Sequence, residues 1–183
     1  MFQQLKYFSQ DVKRMLGKYK IRILTIWLSR TFWGIFMYRW ERGWYLLFGR
    51  GYEIFRIILT PLYNLLYAYS NIEIHYKADV KGGIMVLHPS VGAVVSGLSV
   101  VGRNLTLTGG NVIGAKPHTK RGEIIIGDNC SMGANAVVIG PVKLGNNINI
   151  GASACVVKDC LSDGVSLMGV PAKVYVSVDA AQY

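Results

Sequence analysis

Residues 126–161 read IGDNCS-MGANAV-VIGPVK-LGNNIN-IGASAC-VVKDCL, six hexads held in one phase. The first positions, Ile126, Met132, Val138, Leu144, Ile150 and Val156, are all aliphatic. The fifth positions, Cys130, Ala136, Val142, Ile148, Ala154 and Cys160, are all small or β-branched. Neither a helical period of 3.6 nor simple strand alternation produces this register. A repeat of six predicts a solenoid, three edges to a triangular coil, with the aliphatic side chains pointing inward. Gly127, Asn129, Gly133, Asn135, Gly145 and Asn146 fall between the edges, where corners call for positive φ. An antiparallel β-sandwich with glycine-rich turns is the competing fold, and six consecutive hexads in phase argue against it.

Upstream, Val101, Leu107 and Ile113 keep the period, and Lys116–Glu123 breaks it, which predicts a loop thrown out of the solenoid. Before residue 72 the character of the chain changes. Residues 1–72 carry 11 Lys/Arg against 3 Asp/Glu and 18 of the 21 aromatic residues; residues 73–183 carry 9 against 7. Residues 1–71 are therefore expected to form a helical, basic, aromatic-rich segment, and 72–183 the β domain. The positive charge is interleaved with Trp, Tyr and Phe rather than gathered in a tract, and no zinc-finger or RNA-binding signature is present. Nucleic acid is thus not an expected partner.

No stretch reaches the roughly 18 uncharged apolar residues of a spanning helix, since Arg30 interrupts Ile23–Trp40 and Pro61 sits within Ile57–Ser70. The N-terminus has no apolar core ending in a cleavage site, so no signal peptide is expected. Three cysteines, Cys130, Cys155 and Cys160, have no metal-ligand grouping and suggest reduced thiols in a cytoplasmic protein.

The stretch IEIHYKADVKGGIMVLHPSVGAVVSG (72–97), the coils and the closing GVPAKV (169–174) resemble the hexapeptide-repeat acyltransferases, and within them the serine acetyltransferase-like branch. The resemblance covers about 100 residues. It implies a left-handed parallel β-helix, a homotrimer with active sites between subunits, and acetyl-CoA as co-substrate. It also implies that His88 is the catalytic base and that Glu73, fifteen residues earlier, stands where the branch has an orienting Asp. A neutral imidazole takes the proton of an attacking alcohol, and a carboxylate on its other nitrogen fixes the tautomer. An N–H from Gly114 or Ala115 would bind the oxyanion. Ala134, Ala152 and Lys173 match acetyl-CoA positions, although Lys173 also suits a solvated lysine. His75 reads as structural, and His118, in the ejected loop, as a weak substrate contact.

The sequence departs from the serine-specific pattern at three places. Leu87 replaces an Asp before the histidine, Glu123-Ile124-Ile125 stand where an Arg-His-Pro is found, and the N-terminal part is about half as long. The tail VDAAQY lacks the terminal Ile by which such enzymes bind cysteine synthase. An amino-acid zwitterion needs charged partners. The departures are therefore similar to the exopolysaccharide and colanic acid O-acetyltransferases, and the expected acceptor is a sugar or lipid-linked saccharide, with serine the alternative.

For Ile21–Trp40 and Trp44–Leu66 two roles stay open: helices lying in an anionic membrane interface on the cytoplasmic face, or helices packing the trimer or the solenoid end. A gamma carbonic anhydrase-like zinc site, built from His75, His88 and His118, fits poorly at separations of 13 and 30 residues. A non-catalytic scaffold is the remaining alternative, against which Glu73 and His88 argue.

Overall fold

The computed structural model describes residues 1–175; the tail VDAAQY lies outside them. Helix α1 spans Phe2–Leu16, α2 Arg30–Phe48 and α3 Arg50–Ser70, with two short 3-10 turns between α1 and α2. Lys13 and Arg14 close α1 where the helix dipole favours cations. Asn71, in the left-handed conformation at φ 56°, ends α3 and starts the solenoid.

The solenoid makes five coils. The first holds β1 (Ile72–Ile74), β2 (Asp79–Val80) and β3 (Met85–Val86). The second holds β4 (Ala93–Val95), β5 (Ser99–Val101) and β6 (Thr106–Leu107). The third holds β7 (Asn111–Ala115), β8 (Ile124–Ile126) and β9 (Ser131–Met132). The fourth holds β10 (Val137–Gly140), β11 (Val142–Leu144) and β12 (Asn149–Ile150); the fifth keeps β13 (Cys155–Val156), a bridge at Cys160, and β14 (Ser166–Met168). Strand β15 (Lys173–Tyr175) folds back antiparallel on β14. Parallel ladders β1-β4-β7-β10-β13, β2-β5-β8-β11 and β3-β6-β9-β12-β14 form the first, second and third faces of the prism.

The hexad reading holds at the core. Ile126, Met132, Val138, Leu144, Ile150 and Val156 are buried, as are all the fifth positions but Cys160, which is half-buried. Asn129 and Asn135 take positive φ at corners, as expected. Gly127, Gly133 and Gly145 do not, and Asn147 rather than Asn146 is left-handed. Those glycines answer a different constraint, the close approach of the next coil. A Cβ on Gly127 would lie 2.3 Å from the Gly145 carbonyl oxygen, and one on Gly133 would lie 2.6 Å from the Ala152 nitrogen.

The helical boundaries also differ from the sequence reading. Lys20–Leu24 and Ile26–Leu28 form two 3-10 turns, extended Ser29 caps α2, and α2 runs unbroken through Trp40 and Trp44 to Phe48. What sets these limits is the first coil. Its outer strand edge would leave backbone groups without partners. Side chains of α1 and α2 meet them: Thr31 Oγ1 donates to Val86 O (2.9 Å), Tyr38 Oη to Ala78 O (2.9 Å), and Arg39 to Val80 O (2.6 Å) and Lys81 O (2.8 Å). Asp11 Oδ1 accepts from the Gly83 and Ile84 amides, and its other oxygen meets Arg39 Nε at 2.8 Å. Gly34 lets α2 approach β1, since a Cβ there would lie 2.7 Å from that of Ile72. A second buried carboxylate, Glu41, ties α2 to α3 by accepting from Tyr52, Arg56 and Tyr67.

Asp11 and Arg39 are both buried, so removing one strands the other. Asp11→Ala is expected to lower stability by about 3–5 kcal/mol in urea unfolding, with the loss appearing first as separation of the helices from the solenoid.

Candidate active site

His88 lies at the corner joining the third face to the first. The aliphatic period is six everywhere on the first two coils except between Val86 and Val95, where it is lengthened by the 3-10 turn Pro89–Val91. That turn carries His88 out to an exposed position at its head. It is pinned on both sides. Asn71 Nδ2 donates to Ser90 O (3.0 Å), the His88 amide donates to Thr108 O (2.9 Å), and the Gly110 amide to Gly92 O (2.7 Å). Gly109, at φ 142°, lies against His88; a Cβ there would come within 2.7 Å of the His88 carbonyl oxygen.

Beneath Gly109 sits Asn111, a residue the sequence reading passed over. Its column on the first face runs Ile72, Ala93, Asn111, and the buried position is otherwise apolar. The side-chain oxygen accepts from the Gly109 amide (2.8 Å), and the amide nitrogen donates to Gly133 O (2.7 Å). A polar residue in an aliphatic column was the available signal, as was the three-residue slip before Val95.

The corner continues along the prism. Gly109–Gly110, Ala134–Asn135, Ala152–Ser153 and Gly169 follow on successive coils, joined by Asn135 N to Gly109 O (2.9 Å) and Ser153 N to Ala134 O (2.8 Å). His88, Ala134 and Ala152 therefore share one edge, and Lys173 lies at its far end, opposite Met168 in the β14–β15 pair. Beside this edge a groove of about 330 Å³ runs over Thr108, Gly133, Gly151 and Met168. On the other side of His88 a recess of about 300 Å³ opens between the 3-10 turns and β3, with Met15, Ile26, Thr25, Ser29 and Leu87 in its wall; Arg22 is its one charged lining residue.

Glu73 points outward from β1, two residues beyond Asn71, and makes no hydrogen bond to His88 among the described residues. Gly114 and Ala115 lie at the opposite end of β7, four residues beyond the corner, about 13 Å along the strand. One chain thus does not bring the expected oxyanion donors to His88. His118 sits exposed in the loop beyond them, at φ 68°. The three histidines occupy separate places on the prism, and no metal-holding cluster of His, Cys, Asp or Glu occurs among the described residues.

No family model matches the chain, and no curated protein does. Solved structures do. Neisseria gonorrhoeae serine acetyltransferase in complex with serine is 26% identical over 94% of this chain and 69% of that one, with a TM-score of 0.78. Soybean serine acetyltransferase complexed with serine is 20% identical over 96% and 70%, with a TM-score of 0.75. A serine acetyltransferase complex with CoA is 22% identical over 78% and 55%, with a TM-score of 0.62. The chain shares the left-handed β-helix fold of serine acetyltransferases. Likeness to colanic acid O-acetyltransferases in particular is not among these findings.

His75 is part of the scaffold. Its Nδ1 accepts the Lys77 amide (3.1 Å) and its ring stacks on Tyr76. Burial, and then the charges of Arg56 and Lys77, hold its pKa below the ordinary 6.5. A depressed folded pKa means that the neutral ring stabilises the fold fully above pH 6.5, and that this share is lost as pH falls through the folded value. Denaturation midpoints should therefore drop as pH falls below about 6.5, and His75→Gln should flatten that part of the profile.

Proposed function

We propose that the protein is an acetyl-CoA-dependent O-acetyltransferase in which His88 is the general base. The observation that carries this reading is the single prism edge that joins His88 to Ala134, Ala152 and Lys173. The likeness to acetyltransferase structures, one of them a CoA complex, supports it. The acceptor hydroxyl is held against His88, whose imidazole takes its proton as the oxygen attacks the thioester carbonyl. The resulting oxyanion needs an N–H donor, and its collapse breaks the C–S bond and expels CoA as a thiolate, which takes the proton back from the His88 imidazolium. With Gly114 and Ala115 at the far end of the first face, a homotrimer supplies them from a neighbouring subunit. Glu73, on the neighbouring β1, is the proposed positioning carboxylate for His88.

For the acceptor, the comparisons weigh toward L-serine, since the neighbours include serine complexes. Arg22 adds a cation to the recess beside His88, suited to a carboxylate. The saccharide acceptor expected from the sequence is the second reading. It is favoured by Leu87, 44% exposed, which places an apolar side chain where an ammonium group would need an anion.

Thiol release from acetyl-CoA, measured with L-serine, nucleotide sugars and oligosaccharide repeats, tests both readings. Saturation with serine at about a millimolar would establish the first; turnover with saccharides alone would establish the second. In either case His88→Ala should lower kcat by about two orders of magnitude with the fold intact, and Glu73→Gln should cost less. Near-normal turnover in His88→Ala removes the histidine from the mechanism. If serine is the acceptor, Arg22→Met should raise its KM and leave acetyl-CoA affinity unchanged.

A further inference from the structure

The helical segment caps the first coil with one side, and its other side is left apolar. On α3 the outward positions are Ile54, Ile57, Ile58, Leu62, Leu65 and Tyr69, one stripe of a 3.6-residue period. Ile54, Ile57 and Ile58 are 72%, 71% and 75% exposed. A groove of about 520 Å³ between α2 and α3, walled by Trp40, Trp44, Phe48 and Phe55, opens beside this stripe through half-exposed Phe55. At the other end Tyr69 meets the second 3-10 turn, where its hydroxyl reaches Leu28 O at 3.4 Å and Arg30 lies over its ring. Trp27 and Leu28 there are exposed too, so the apolar surface continues from α3 onto that turn.

The charge around this surface has one sign. All three acidic residues of the segment are engaged by cations: Asp11 by Arg39, Glu41 by Arg56 and Glu53 by Lys77. Arg50 at the head of α3, Arg30 at its tail, and Lys18 and Lys20 on the turns are exposed and take part in no ion pair among the described residues. No helix is long and apolar enough to cross a membrane.

We infer that this face docks on an anionic lipid surface, with the α3 stripe and Trp27 seated at the headgroup boundary and the flanking arginines and lysines on the phosphates. A second copy of the chain fits less well, because two such faces would oppose cation to cation with no free carboxylate between them. The inference does not rest on the acceptor or on the acetyl transfer.

The test uses the full chain and vesicles of phosphatidylcholine, with and without about one-third phosphatidylglycerol. The protein should co-sediment severalfold more with the anionic vesicles than with the neutral ones, and tryptophan emission should shift to the blue. Raising salt from about 0.1 M to about 0.5 M should weaken binding severalfold without abolishing it, since the apolar contact is unscreened. The double substitution Ile57→Glu with Ile58→Glu should lower partitioning at least about tenfold, and Ile57→Gln with Ile58→Gln by less. Both pairs are solvent-exposed, and circular dichroism and the unfolding midpoint report whether the fold is kept. Absence of binding to anionic vesicles, equal binding to neutral ones, or unchanged partitioning of the folded variants overturns the inference. So does a fall in molar mass of the glutamate variant in sedimentation equilibrium, which would assign the face to a second copy.

Discussion

The open strand edge of the first coil is the constraint from which the rest of the molecule follows. A β-helix satisfies its backbone only between coils, so its first coil has one side with no neighbour. Here a salt-bridged pair, Asp11 and Arg39, meets that edge: the carboxylate takes two amides and the guanidinium gives to two carbonyls. The pair is buried because the edge is buried, and each partner offsets the charge of the other. Once α1 and α2 are fixed in this way, Gly34 sets their closeness to Ile72, and Glu41 carries α3 along behind. At the far end β15 folds back on β14 and pairs with the last strand of the third face.

Much of this was legible in the residues, because the aliphatic period is written directly into the interior. Ile126, Met132, Val138 and Leu144 recur at the step the coil demands, and the structure buries every one. Glycines were harder. Those at 127 and 133 were expected to relax the backbone, yet their role is to admit the neighbouring coil, a contact between residues eighteen or so apart that no local pattern displays. The capping contacts were invisible for the same reason. Asp11 and Gly83 are 72 residues apart, and nothing near either one foretells the hydrogen bond.

The candidate site was legible in part. His88 stood out by its resemblance to a family motif, and the structure adds why it projects, through the Pro89–Val91 turn. Asn111 escaped notice because a lone polar residue in a repeat reads as a surface position, whereas here it is buried and holds the loop beneath His88. The recess beside Leu87 arises where the 3-10 turns meet β3, so it depends on how the cap is seated and not on any motif. The scaffold is thus a property of the repeat, and the site a property of its interruptions.

That the edge carrying His88 is built from identical steps has a metrical consequence. Successive corners, from the His88 turn through Gly109, Ala134 and Ala152 to Gly169, stand one strand spacing apart, about 4.8 Å each, or about 19 Å in all. The prism is therefore a ruler with discrete graduations. The rise from His88 to the turn before Lys173 is fixed by the number of coils between them. Deleting or duplicating one eighteen-residue coil would move Lys173 by a full graduation relative to His88.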